Sequence, residues 1–196
     1  QSPIAKKDIT KIEAAGVRVL ILSTPQTFVE LKQCYIDISS LFGGAIKAQE
    51  TAEKALLPLT TALEKAKSSG TFAYIMTYDL AVATGDTLSN DILSYFGTNI
   101  AKDNQKYTIT AKELLAKQPD IIFLAAPMNA ANLPAEAAGL NAIKNNKIIS
   151  IDNKSFERPT SRLLAQIVND IEKSLGITSD TATPAQTTIA KTTAAK

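Results

Sequence analysis

Apolar positions along the chain follow two rhythms. "SPIAKKDITKIEAAG" reads as a short helix, with Ser2 as cap, Pro3 in the first turn and Gly16 as the stop. "VRVLIL" follows, a β-branched run that predicts a buried strand. "TPQTFVELKQCYIDISSLFGG" then repeats apolar side chains at helical spacing: Phe28, Leu31, Tyr35, Ile38, Leu41 and Phe42. Gly43 and Gly44 end that helix. "AIKAQETAEKALLPLTTALEKAKSS" predicts a longer one, with a kink at Pro58, whose nitrogen cannot donate a hydrogen bond.

From residue 71 the rhythm alternates. "TFAYIMTY" predicts a strand, and "DLAVATGDTLSNDILSYFG" a loop and a helix stopped by Gly97. "YTITAKELLAKQP" carries a capping box, Thr110 with Glu113 three residues on. "DIIFLAAP" is a strand, "AEAAGLNAIKNN" a helix, "KIISID" a strand and "PTSRLLAQIVNDIEKSLG" the last helix. The order β-α-α-β-α-β-α with short apolar strands predicts an α/β, Rossmann-like lobe, its mostly parallel sheet covered by helices on both faces. "ITSDTATPAQTTIAKTTAAK" has no such rhythm and predicts a flexible tail over 177–196.

Composition narrows the function. The chain has 196 residues, 45% hydrophobic and 20% charged, with a net charge of +2 and no block of like charge. Nucleic acid is therefore not expected as a partner. No run is long and apolar enough to span a membrane. Gln1 opens on polar helix-like sequence, so no signal peptide is expected at this start. The single cysteine, Cys34, sits in a helical pattern and reads as a buried small hydrophobe. There is no histidine, which removes the commonest general base and transition-metal ligand. No cofactor, metal site or catalytic residue is expected, and the chain does not read as an enzyme.

Candidate chemistry gathers at strand ends, where open α/β sheets bind ligands. "YIMTYD" brings Met76, Thr77, Tyr78 and Asp79 to one edge. "FLAAPM" brings Pro127 and Met128, and "SIDNKSFER" brings Asp152, Phe156, Glu157 and Arg158. Aromatic, thioether, acid and guanidinium groups on one rim suit a bulky ligand with an apolar body and polar edges. The bland alternative makes Met76 and Phe156 core-edge residues and pairs Arg158 with Glu157 or Asp152. "ATGDTLSND" lacks a phosphate-binding pattern and reads as a turn with a helix cap.

Four stretches together resemble the substrate-binding proteins of ABC importers for cobalamin, ferric siderophores and haem, a class with a helical backbone between two α/β lobes. They are "IEAAGVRVLIL", "YIMTYDLAVATGDTLSNDILSYFGTNIAKD", "YTITAKELLAKQPDIIFLA" and "IKNNKIISIDNKSFERPTSR". The resemblance runs from residue 1 to about 176 and implies four parts. Residues 1–24 would be a remnant of a first lobe, 25–70 a helical interlobe region, 71–176 the second lobe, and 177–196 the tail. It implies a periplasmic or extracellular protein, membrane-associated at full length, that binds a metal chelate or corrinoid between its lobes. Arg158 would reach into the cleft from the "FERP" loop, with Arg162 structural. Met76 and Val82 would stand at apolar wall positions, with Tyr78, Phe156 and Tyr107 as further candidates. An ABC permease would dock at an acidic residue near the start of the "AKELLAKQPD" helix. The matching position here is Lys112, with Glu113 beside it.

The cleft's other wall would come from a first lobe or a second copy of the chain. Without it, residues 17–22 and the helix from Phe28 to Phe42 are expected to pack back onto the lobe or pair with another copy. Two other readings compete. One is a free-standing α/β interaction domain, able to oligomerise, with no transport ligand. The other is an enzyme of the nitrogenase-like metallocluster folds, disfavoured by a single cysteine.

Overall fold

A computed structural model describes residues 4–68, 70–107 and 109–176. Ser2, Pro3 and the expected tail lie outside them. Helix α1 covers Lys6–Ala14, buries no residue and ends at Gly16, whose φ of 81° suits glycine. Residues 17–22 take no regular secondary structure and form no strand. Among the described residues, the backbone groups of 18–22 make no hydrogen bond. The expected strand is therefore a lone segment, because a strand exists only through pairing. It does not pack back either: Val17, Leu20, Ile21 and Leu22 are all exposed.

Helix α2, Phe28–Lys65, is two helices joined at Gly44, where φ is 71° and ψ 169°. The break thus falls at the expected Gly43–Gly44 stop, while Pro58, where a kink was also expected, keeps helical dihedrals. The second half buries Ala48, Ala52, Leu56, Leu59, Ala62 and Leu63, one helical stripe. The first half uses its stripe only in part. Leu31 is buried, and Phe28 and Tyr35 pack against the core, while Ile38, Leu41 and Phe42 face outward.

Strands β1 (Thr71–Ile75), β2 (Thr98–Asn99), β3 (Ile121–Ala126) and β4 (Ile148–Asp152) form one parallel sheet in the order β2-β1-β3-β4. Side chains alternate between its faces. Phe72, Tyr74, Phe123, Ile149 and Ile151 meet α2 and helices α3 (Leu88–Leu93) and α7 (Ser161–Ser174). Ala73, Ile75, Ile122 and Leu124 meet the other cover, which includes α4 (Ala111–Lys117) and α5 (Asn141–Lys144). Burial on both faces explains why β1 and β3 read as unbroken apolar runs. The capping box forms as expected: Thr110 Oγ accepts from the Glu113 amide, and Glu113 accepts from the Thr110 amide.

Three details were not legible in the pattern. Strand β2 is only two residues long. The "AEAAGLNAIKNN" helix is split into a 3-10 turn, Ala135–Gly139, and the short α5, with Leu140 extended between them. One helical turn, α6 (Lys154–Glu157), interrupts the loop before α7.

Candidate functional site

The parallel register sends β1, β3 and β4 out of the sheet at the same edge. At the end of β1 the chain turns back at once. Met76 N donates to Ala81 O, and Ala83 N to Tyr74 O, so Val82 pairs antiparallel with Ile75. Leu80 takes a φ of 64° in that turn, and Thr77 and Asp79 bond through their side chains. This geometry corrects one expectation. Val82 is fully buried, supporting the rim from behind rather than lining a wall. Tyr78 projects from the turn, and its hydroxyl accepts a long hydrogen bond (3.4 Å) from the Asn129 amide after β3.

Two adjoining depressions occupy the rim. The smaller, about 210 Å³, is lined by Met76, Phe156, Tyr107, Leu88, Glu157 and Pro25, among others. The larger, about 790 Å³, runs between the first turns of α2 and the loop into α7, past Leu22, Cys34, Tyr35, Ile38, Glu157 and Arg158. Thr24, Pro25 and Glu157 border both. Met76, Tyr107 and Phe156 thus line one depression, with Arg158 in the neighbouring hollow. Tyr78 lines neither.

Each side chain is held by identifiable contacts. Tyr74, at the end of the buried strand, donates its hydroxyl to Asn153 Oδ1 at 2.9 Å and tilts its ring against Phe156, centroids 5.9 Å apart. Burial, followed by the charges of Asp152 and Glu157, pushes the Tyr74 phenol far above its ordinary range, so it remains a donor. Asn153 Nδ2 donates to Glu157 Oε1 at 3.0 Å, across one turn of α6. Tyr107 sits at a φ of 58°, its amide donating to Thr84 Oγ. Asp86 anchors that loop: it accepts from Thr84 Oγ and from the Lys106 amide, and these bonds hold its carboxyl below the ordinary range. Burial and the Asp86 charge raise the Tyr107 phenol. Ser161 N donates to Tyr35 Oη at 3.0 Å, tying α7 to α2 across the groove.

Arg158 is exposed, and among the described residues its guanidinium has no hydrogen bond or ion pair, while its backbone amide donates to Lys154 O. The alternative that tied it to Glu157 or Asp152 therefore does not describe this geometry. Arg162 is exposed on the first turn of α7, also without a side-chain partner among them, which removes the structural role expected of it. Cys34 is half-buried rather than buried, its thiol 3.7 Å from Ser23 O and raised by burial and by Asp37. Lys112 and Glu113 are exposed on the first turn of α4 and line neither depression. The Glu113 carboxylate already accepts from the Thr110 amide and hydroxyl, which lowers its pKa.

The sequence reading missed the groove wall made by Leu31, Cys34, Tyr35 and Ile38. Their helical spacing on one face was visible, but which side of that face would stay open was not. Among the described residues no helix is long and apolar enough to cross a membrane, and no acidic, cysteine or histidine cluster could hold a metal.

No family model matches the chain, and neither does any curated protein sequence. Solved structures do match. A possible iron-binding, periplasmic solute-binding protein of Staphylococcus epidermidis is 18% identical with a TM-score of 0.72, over 86% of this chain and 70% of that one. The periplasmic vitamin B12 binding protein BtuF of Vibrio cholerae is 19% identical with a TM-score of 0.66, over 88% and 70%. The periplasmic heme-binding protein RhuT of Roseiflexus is 16% identical with a TM-score of 0.67, over 89% and 74%. These neighbours are named as binding proteins, not as enzymes. At such identities the likeness is one of architecture: the chain has the fold of the periplasmic solute-binding proteins.

Proposed function

We propose that this chain belongs to the solute-binding component of an ABC importer and takes a metal chelate or corrinoid: a ferric siderophore, cobalamin or haem. One observation carries the reading. On this fold, Met76, Tyr107, Phe156 and Arg158 meet in adjoining depressions at the C-terminal edge of a parallel sheet, the edge where such sheets bind ligands. An apolar floor beside an unpaired guanidinium fits a bulky ligand with polar rim groups. Residues 71–176 act as one lobe and supply one wall. Residues 25–70 connect it to the opposing wall, with residues 1–24 belonging to that other side. The protein binds and does not catalyse. It works outside the cytoplasm, held near a membrane permease that contacts the start of α4 at Lys112 and Glu113.

The exposed apolar face of 17–22 and the first half of α2 favours a second reading, a free-standing interaction domain. Titrating the isotope-labelled full chain with cyanocobalamin, a ferric hydroxamate and haemin, each to millimolar concentration, separates the two. Under the first reading at least one ligand moves the amide signals of Met76, Tyr107 and Phe156–Arg158. Silence at these amides with all three overturns it.

A further inference from the structure

Glu157 borders both depressions, and neither the resemblance nor the fold gives it a role. It ends α6, and Arg158 follows at a φ of −131°. No ion pair joins the two side chains. The groove therefore presents an acceptor-only carboxylate next to a donor-only guanidinium, each available to something else. The carboxylate is also held in place. Tyr74, fully buried in β1, donates to Asn153 Oδ1, which fixes the Asn153 amide so that Nδ2 faces Glu157 Oε1. With the phenol held as a donor, this relay has a single direction, and each bond polarises the next.

We propose that Tyr74 and Asn153 position Glu157 as a specificity-determining acceptor beside Arg158, so that this wall selects a neutral ligand edge of the primary-carboxamide kind over an anionic one. An amide oxygen accepts from Arg158 while the amide nitrogen donates to Glu157. A carboxylate satisfies Arg158 but faces the like charge of Glu157, and an ammonium has the opposite fault. Selection by an unfavourable juxtaposition is a common route to specificity.

This inference rests on the function proposed above, and a matched pair of corrinoids separates the failure of one from the failure of the other. Cyanocobalamin carries an amide rim, and each of its monocarboxylic acids replaces one of those amides by a carboxylate. Titrated into the labelled full chain, cyanocobalamin should bind about fivefold more tightly than the monocarboxylic acid whose carboxylate meets this wall, the screened cost of one like charge at contact. Glu157→Gln should erase that preference by strengthening binding of that acid. Tyr74→Phe and Asn153→Ala should weaken the preference while thermal melts show folded protein, a readout that a merely structural role would leave unmoved. Equal affinities in the wild type, or a preference that survives Glu157→Gln, overturn this inference alone. Binding of neither corrinoid overturns the inference, and the function falls with it only if the ferric hydroxamate and haemin are silent too.

Discussion

Asn99 tests how the rim is supported. Its side chain is 2% exposed and makes three hydrogen bonds, each 2.9 Å: Nδ2 to Ala83 O, Nδ2 to Asn90 Oδ1, and Oδ1 from the Ala101 amide. These bonds tie the short β2 to the loop and helix that carry Thr87, Leu88 and Ser89 into the smaller depression. Asn99→Ala strands buried partners at about 1 kcal/mol apiece, so the loss is roughly 3 kcal/mol. For a chain of this length that lowers Tm by roughly 6–12 °C. Urea denaturation followed by circular dichroism should show a lower midpoint at unchanged slope. Asn99→Asp sharpens the case. It keeps the shape but points a carboxylate at Ala83 O and Asn90 Oδ1. Burial, with no donor facing the oxygen that replaces Nδ2, raises the folded-state pKa of that new carboxyl against the one bond from the Ala101 amide, so its deficit should grow as pH rises and shrink in acid. A loss below about 1 kcal/mol for Asn99→Ala, or no pH dependence for Asn99→Asp, would refute the claim that this network holds the loop.

Three further outcomes follow from the structure. A Cβ at Gly85 would stand 1.8 Å from Lys102 O, a backbone atom that cannot yield, so Gly85→Ala should cost several kcal/mol or abolish folding, and a melting temperature near wild type would contradict this. Phe42 and Ile46 are 88% and 96% exposed, so Phe42→Ser with Ile46→Lys should leave thermal stability unchanged and reduce self-association in sedimentation; a lower Tm would mean that these side chains support the fold after all. Glu172 is buried with Oε1 unbonded, and burial raises its carboxyl against the opposing pull of Lys65, so the folded state holds its proton more tightly than the unfolded. Stability from this group is complete in acid and lost as pH rises through the raised value; Glu172→Gln should remove that slope, and parallel pH–stability curves for the two proteins would count against it.

The sequence by itself determined the α/β lobe, because a parallel sheet buried on both faces writes its strands as unbroken apolar runs, as in "TFAYI" and "IIFLAA". It also determined the local ends. The Thr110–Glu113 box and the Gly44 break depend on neighbours a few residues apart. Tertiary structure decided the rest. Val82 looks like any wall residue until the chain folds back to pair it with Ile75. "VRVLIL" has the composition of a strand, but pairing is supplied by another segment, and among the described residues none pairs with it. Arg158 and Glu157 were visible as neighbours in the chain. That they form no ion pair, with the carboxylate tied to Tyr74 through Asn153 by contacts spanning up to 79 positions, only the packed chain decides. Helix and strand patterns are local and survive in one dimension. Which polar groups meet at a rim depends on register and on loops that only the packed chain fixes.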